Sequence, residues 1–192
     1  MKKIMLVAAL MLSSVATFAQ HAVGSFNIQP KVGLNIANLT DYSKSDARLG
    51  LVAGAEGEYQ ATDIVSVSAG LLYSMQGAKV NQPFVTVTQK LDYINIPITA
   101  NVYVVKGLAV KLGVQPGFKV GDVASVDAAR ALNVALPGKA KSFDLSIPVG
   151  VSYEYNNFQL DARYNWGVTK VYEGSKAKNS VFQITLGYKF DL

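Results

Sequence analysis

Cysteine is absent from this 192-residue sequence, so no disulfide framework, thiol nucleophile or thiolate metal site can be built from it. Histidine occurs once, as His21, and charged residues make up only 16% of the chain. Lysine and arginine never form a long run, which argues against a nucleic-acid partner. No phosphate-cradling glycine loop, zinc spacing or dinucleotide fingerprint appears. After the first twenty residues no segment approaches the roughly 18 consecutive apolar residues of a spanning helix. Yet half of the chain is hydrophobic, and that surface must go somewhere.

A two-residue period says where. In the last strand Phe182, Ile184, Leu186, Tyr188, Phe190 and Leu192 share one face, while Gln183, Thr185, Gly187, Lys189 and Asp191 share the other. Such alternation marks a strand with one apolar and one polar side. The ending, with Gly187, Tyr188, Phe190 and Leu192 as its marked positions, resembles the C-terminal signal that bacterial outer-membrane barrels present to their assembly machinery.

At the other end, Lys2 and Lys3 precede an apolar run from Ile4 to Leu12, and Thr17-Phe18-Ala19 offers small residues for a signal peptidase. Residues 1–19 are expected to be a secretory signal peptide, with 20–192 forming one domain. Removing those two lysines from 18 basic residues leaves 16 against 13 acidic, a net charge of +3. No cysteine follows the cleavage region, which disfavours a lipid anchor.

Eight alternating segments can be read along the domain, at about 26–38, 49–59, 65–75, 93–104, 108–118, 143–155, 158–168 and 182–192. The connections alternate in length. Ala61-Thr62-Asp63, Lys106-Gly107 and Asn156-Asn157 are tight turns, with Gly and Asn where positive φ is needed. Longer loops fall at 39–48, 76–90, 119–141 and 170–179. Short turns on one rim and long loops on the other form the outer-membrane pattern. Only a closed barrel crosses a bilayer on strands without orphaned backbone groups. The expected fold is all-β, an eight-stranded antiparallel up-and-down transmembrane barrel of the OmpA/OmpX type.

A soluble lipocalin-like carrier is the structural rival, because it too is exported and alternating. It would line a cavity with the apolar set. Against it, the polar face is rich in Gly and Ser, and Tyr59, Tyr73, Tyr103, Tyr155, Trp166, Tyr188 and Phe190 gather near strand ends as interfacial girdles do. Pro30, Pro97, Pro116 and Pro148 fall inside proposed strands, where each removes a ladder donor, so bulges or strand ends are expected there.

The chain also resembles the outer-membrane β-barrel family common in Bacteroidetes, which includes PorT-like proteins. The resembling residues are Gly33 to Leu39, Leu91 to Pro97, Gly113 to Gly117 and Arg163 to Val168, with Tyr93-x-x-Ile96-Pro97 the most distinctive element. The resemblance implies an outer-membrane barrel and supplies no catalytic or ligand residues. PorT itself is associated with type IX secretion.

Eight strands enclose a lumen that side chains fill. The inward set carries Lys31, Lys111, Arg163 and Lys189 with Glu56, Glu58, Asp144, Glu154 and Asp161. A structural charge network of Lys31, Glu56, Lys111, Asp144, Asp161 and Arg163 is expected, with Arg163 as hub. His21 sits ahead of the first strand, where a frayed terminus cannot hold a general base within about 3 Å of a reacting proton. Asp41 and Asp46 are better explained as solvated loop acids than as calcium ligands. No catalytic residue, cofactor or metal is expected.

In the loop 119–141, Ser125 could cap a short helix from Val126 to Leu132, and this loop is the candidate partner-binding surface. Expected partners are outer-membrane lipid, the barrel assembly machinery, and an extracellular or secretion-machine partner. The function read from sequence is a non-enzymatic structural, adhesive or partner-binding barrel. The alternatives are an accessory of a secretion machine and the soluble carrier.

Overall fold

In the computed structural model, residues 21–40, 45–82, 85–127, 140–172 and 176–192 are described. The elements are β1 (Phe26–Leu39), β2 (Ser45–Gln60), β3 (Val65–Gln82), β4 (Val85–Asn95), β5 (Ile98–Val105), β6 (Leu108–Asp127), β7 (Phe143–Tyr155), β8 (Phe158–Gly167), β9 (Asn179–Tyr188) and β10 (Phe190–Asp191). Every pairing is antiparallel. β4 and β5 keep one register against β3 and β6, so they form a single stave. β9 and β10 form another against β1, and that pairing closes the cylinder. The result is a closed eight-stranded barrel. The expected signal peptide, residues 1–19, lies outside the described residues.

The prolines correct an expectation. None of the four sits at a bulge and only Pro97 falls at a strand end, between β4 and β5; each coincides with a gap in one ladder whose register is the same on both sides. Pro30 still faces Ala55 of β2, but β1 has no ladder partners at Gln29 and Pro30 on its β9–β10 side. The Lys189 N–H, opposite this gap, donates instead to the Asn157 carbonyl at 2.8 Å. Pro97 separates β4 from β5, yet the Ile96 N–H donates to the Pro116 carbonyl at 2.8 Å and the Pro97 carbonyl accepts from Gly70 N–H at 3.1 Å. Pro148 lies in the β6–β7 interruption opposite Gly113. A missing donor interrupts one ladder locally without shifting the strand. The register shifts that do occur fall elsewhere, at Ala47/Val52, Asp92/Tyr93 and Tyr103/Val105.

Alternation in sequence becomes alternation in burial. Along β7, Phe143, Ile147, Val149, Val151, Tyr153 and Tyr155 are exposed, whereas Asp144, Ser146, Ser152 and Glu154 are buried. The same inversion runs around the wall, with Leu34, Leu71, Leu112 and Leu160 outside and Gln29, Asn101, Lys111 and Arg163 inside. An apolar exterior on this scale requires hydrocarbon around it. The soluble carrier fails here, since its apolar set would have to face the cavity. Aromatic side chains collect at both ends of the exterior: Tyr59, Tyr155, Phe158 and Tyr188 at the turn end, Tyr73, Phe118, Phe143 and Trp166 at the loop end. Tyr103 leaves the expected girdle and turns inward.

Turn chemistry matches the sequence. Gly107 has φ of 83°, and Asn156 and Asn157 have φ of 46° and 68°. The loops differ. Most of 76–90 is wall, because β3 and β4 continue as a hairpin to the Gln82–Val85 pair, and β6 follows β4 up to Asp127. The alternation is lost there because Gln76, Gly77 and Ala78 are consecutively buried, with Gly77 at φ of 117°. Ser125 and Val126 belong to β6 and pair with Thr88 and Val87, so neither caps nor starts a helix. Residues 128–139 of that segment lie outside the described residues.

Closure depends on a close approach at Gly33, where an added Cβ would lie 2.0 Å from the Ile184 carbonyl oxygen of β9. Gly33→Val is expected to abolish closure, seen as loss of the compact, faster-migrating band on an unheated denaturing gel. A compact band of normal yield would refute that role.

Candidate functional site

The chemistry in this molecule lies in the lumen, where inward positions of neighbouring strands converge. Lys31 is set on β1, Glu56 on β2, Lys111 on β6, and Asp161 and Arg163 on β8. Arg163 holds Asp161 with two bonds, Nε to Oδ1 at 2.9 Å and Nη2 to Oδ2 at 2.6 Å, and reaches Glu56 Oε1 through Nη1 at 2.9 Å. Lys31 Nζ lies 2.7 Å from Glu56 and 3.5 Å from Asp161. Lys111 Nζ lies 2.7 Å from Asp161. The Gln159 side-chain oxygen Oε1 accepts from Lys31 at 3.0 Å and from Lys111 at 3.3 Å. Each of these side chains is essentially sealed from solvent. The arrangement fits the rule that charges survive out of water only when paired and hydrogen-bonded.

A second layer lies toward the turn end. Lys189 Nζ is 2.6 Å from Glu154 and 3.1 Å from Glu58. The Tyr103 hydroxyl donates to Glu58 at 2.6 Å and accepts from Lys189 at 3.1 Å. Gln29 Nε2 and Ser66 Oγ also donate to Glu58. His21 is not frayed: Nε2 lies 3.1 Å from Glu154 and Nδ1 3.4 Å from Asp191. Sequence reasoning missed this contact because it joins positions 133 residues apart. Across both layers four cations (Lys31, Lys111, Arg163, Lys189) face four carboxylates (Glu56, Glu58, Glu154, Asp161).

Asp144 departs from the expected network. It lies on β7 beyond Ser146, is 7% exposed, and accepts a hydrogen bond from Thr169 Oγ1 at 2.8 Å. Among the described residues it forms no ion pair. Higher still, Leu39, Leu91, Tyr93, Val171 and Tyr172 form a buried apolar cluster, fixed by the Ala140–Tyr172 bridge and a Val171 N–H to Ala177 carbonyl bond of 2.9 Å. That cap was not anticipated, because Val171 and Tyr172 fall in a nominal loop.

A closed wall with an apolar exterior and an ion-paired interior finds its counterpart in a known family. The family model described as outer membrane protein beta-barrel domain matches residues 18–173. The chain belongs to that family. This outer membrane protein beta-barrel domain is therefore a protein of the outer membrane. No curated protein matches it. Among solved structures it is similar to the attachment invasion locus protein Ail of Yersinia pestis, at 14% identity and a TM-score of 0.52, covering 88% of this chain and 100% of Ail. Neisserial surface protein A is 20% identical with a TM-score of 0.50, over 86% of this chain and 97% of that one. OprG of Pseudomonas aeruginosa is 15% identical with a TM-score of 0.50, over 90% and 99%. At these identities the likeness is one of fold.

The C-terminal residues of the outer membrane protein beta-barrel domain sit at the closing seam. Gly187 faces Lys31. Tyr188 and Phe190 point outward with ring centroids 4.8 Å apart, and Phe158 packs edge-on against Tyr188 at 5.0 Å. Leu192 is 78% exposed, and its N–H donates to the Phe26 carbonyl at 3.0 Å. Asp46 lies on β2, Asp41 lies outside the described residues, and no acidic metal cluster occurs among the described residues.

Proposed function

We propose that this protein is a non-enzymatic outer-membrane barrel that works as a scaffold for its external surface rather than as a pore. The observation that carries this reading is the lumen itself, where four cations and four carboxylates interlock across strands with almost no solvent exposure. Ions cannot pass without breaking pairs whose separation in a low-dielectric interior is costly. The purified barrel in planar bilayers is expected to show no discrete conductance steps. Reproducible unitary currents, absent from a mock preparation, would overturn the reading.

The partner role falls to the loop end, including the 119–141 segment. Among the described residues, Lys79, Lys90, Lys141, Lys170 and Lys176 are exposed there. This favours an anionic partner held by counter-charge. Ail has been solved in complex with the heparin analogue sucrose octasulfate, which makes a sulfated polysaccharide a reasonable probe. Retention on immobilised heparin at low salt, lost by about 0.5 M salt where screening is short-ranged, is the expected result. Flow-through at every salt concentration would contradict it.

The resemblance at Tyr93-x-x-Ile96-Pro97 favours a second reading, a PorT-like accessory role in secretion. It requires secreted cargo to fall in a deletion strain and recover with the intact gene. Gly187, Tyr188, Phe190 and Leu192 are proposed as the residues offered to the assembly machinery, since their outward aromatics lie on the last strand to close.

A further inference from the structure

We propose that the closing seam of the barrel carries a seat for one acyl chain of a bilayer phospholipid, in the turn-side half of the outer wall. A groove of about 300 Å³ opens there, walled by Pro30, Val32, Phe158, Leu186 and Tyr188. These five stand at outward positions of β1, β8 and β9. The floor is formed at Lys31 and Gly187, which face each other across the seam. Both are inward positions. Lys31 sends its ammonium into the lumen, 2.7 Å from Glu56, and Gly187 has no side chain. The groove is therefore floored by main chain and does not meet the buried charge.

Proline opens the groove. The pairs Ile28–Phe190 and Lys31–Gly187 share one register, which sets Pro30 opposite Tyr188. Pro30 has no N–H to give across the seam, and the ladder is interrupted there. The turn-side wall is braced from behind. The Tyr188 ring packs edge-on against Phe158 at 5.0 Å and lies 4.8 Å from Phe190. Held on two sides, it does not fold down to fill the gap.

The occupant follows from the surroundings. Val32, Leu186 and Phe158 are at least half exposed on a face that an outer-membrane barrel turns to hydrocarbon, so the groove is continuous with the lipid-facing wall. Apolar surface gains nothing by leaving lipid, and association within a membrane rests on van der Waals packing. A chain lying in a groove touches protein on several sides, where a chain against a smooth wall touches it on one. Walls already held in place also spare the ordering cost that mobile side chains would add. A narrow groove suits a single flexible chain better than the convex wall of a second barrel. The consequence is retention: this chain outlasts the rest of the lipid shell.

The test is native mass spectrometry of the folded barrel released from nanodiscs of palmitoyl-oleoyl phosphatidylcholine. Wild type is compared with Val32→Phe and Leu186→Phe, which fill the groove, and with Val110→Phe on β6, across the barrel. The compact band on an unheated gel verifies folding of each. Wild type and Val110→Phe are expected to keep one phospholipid at collision energies that strip the two groove variants bare. Equal stripping of all four would overturn the proposal. Paired barrels that only the groove variants lose would also overturn it, and would assign the groove to a second copy. If the groove variants fail to fold, phosphatidylcholine with a diazirine midway along one chain decides on wild type alone. Adducts concentrated on Val32, Leu186 and Tyr188 support the seat, and adducts spread evenly around the wall overturn it.

Discussion

Replacing Arg163 by methionine is expected to lower barrel stability by about 3–5 kcal/mol, the usual effect of removing one partner from a buried ionic cluster. Arg163 is the hub of the inner layer, binding Asp161 through two nitrogens and Glu56 through a third. Methionine keeps much of the volume, so the loss measures stranded charge rather than a hole. With Arg163 gone, the balanced lumen holds three cations against four carboxylates. Adding Glu56→Gln restores three against three, so the double variant is expected to regain part of the loss. Urea unfolding in lipid vesicles would give both values. A double variant no better than Arg163→Met would show that packing, not charge balance, sets the effect.

The second large effect is expected on the outer wall. Val149 lies midway along β7, and its side chain is 46% exposed. Val149→Lys places an ammonium near the bilayer midplane, at about 2–4 kcal/mol. Tyr155→Lys, at the turn-end rim of the same strand, should lower stability by no more than about 1 kcal/mol, because the interface solvates it. The contrast between two lysines on one strand measures depth in the membrane. Equal effects at both positions would contradict a hydrocarbon-embedded wall.

How much of this was legible in the sequence depended on period. Wherever residues alternated strictly, as in Ile94 to Val104 or Phe143 to Tyr155, the face assignment needed nothing beyond the two-residue repeat. The Lys31, Glu56, Lys111, Asp161 and Arg163 positions followed from the same parity. Distances did not, since they depend on stagger between strands far apart in sequence. Asp144 shows the limit: parity places it inward, but not the height that separates it from Arg163. The upper wall was hidden where Gln76, Gly77 and Ala78 break alternation. The seating of His21 could not be read from local sequence, because its partner Glu154 is brought there only by closure.

The central claim is that the apolar parity faces lipid and the polar parity faces the lumen. The most direct measurement is methyl NMR of the barrel in nanodiscs, following cross-relaxation from lipid acyl chains. Methyl groups of Leu34, Ile98, Val149 and Leu160, which lie outside, are expected to receive it, whereas those of Val52 and Leu72, which are buried within the lumen, are not. Transfer to Val52 and Leu72 with silence at the other four would contradict the account.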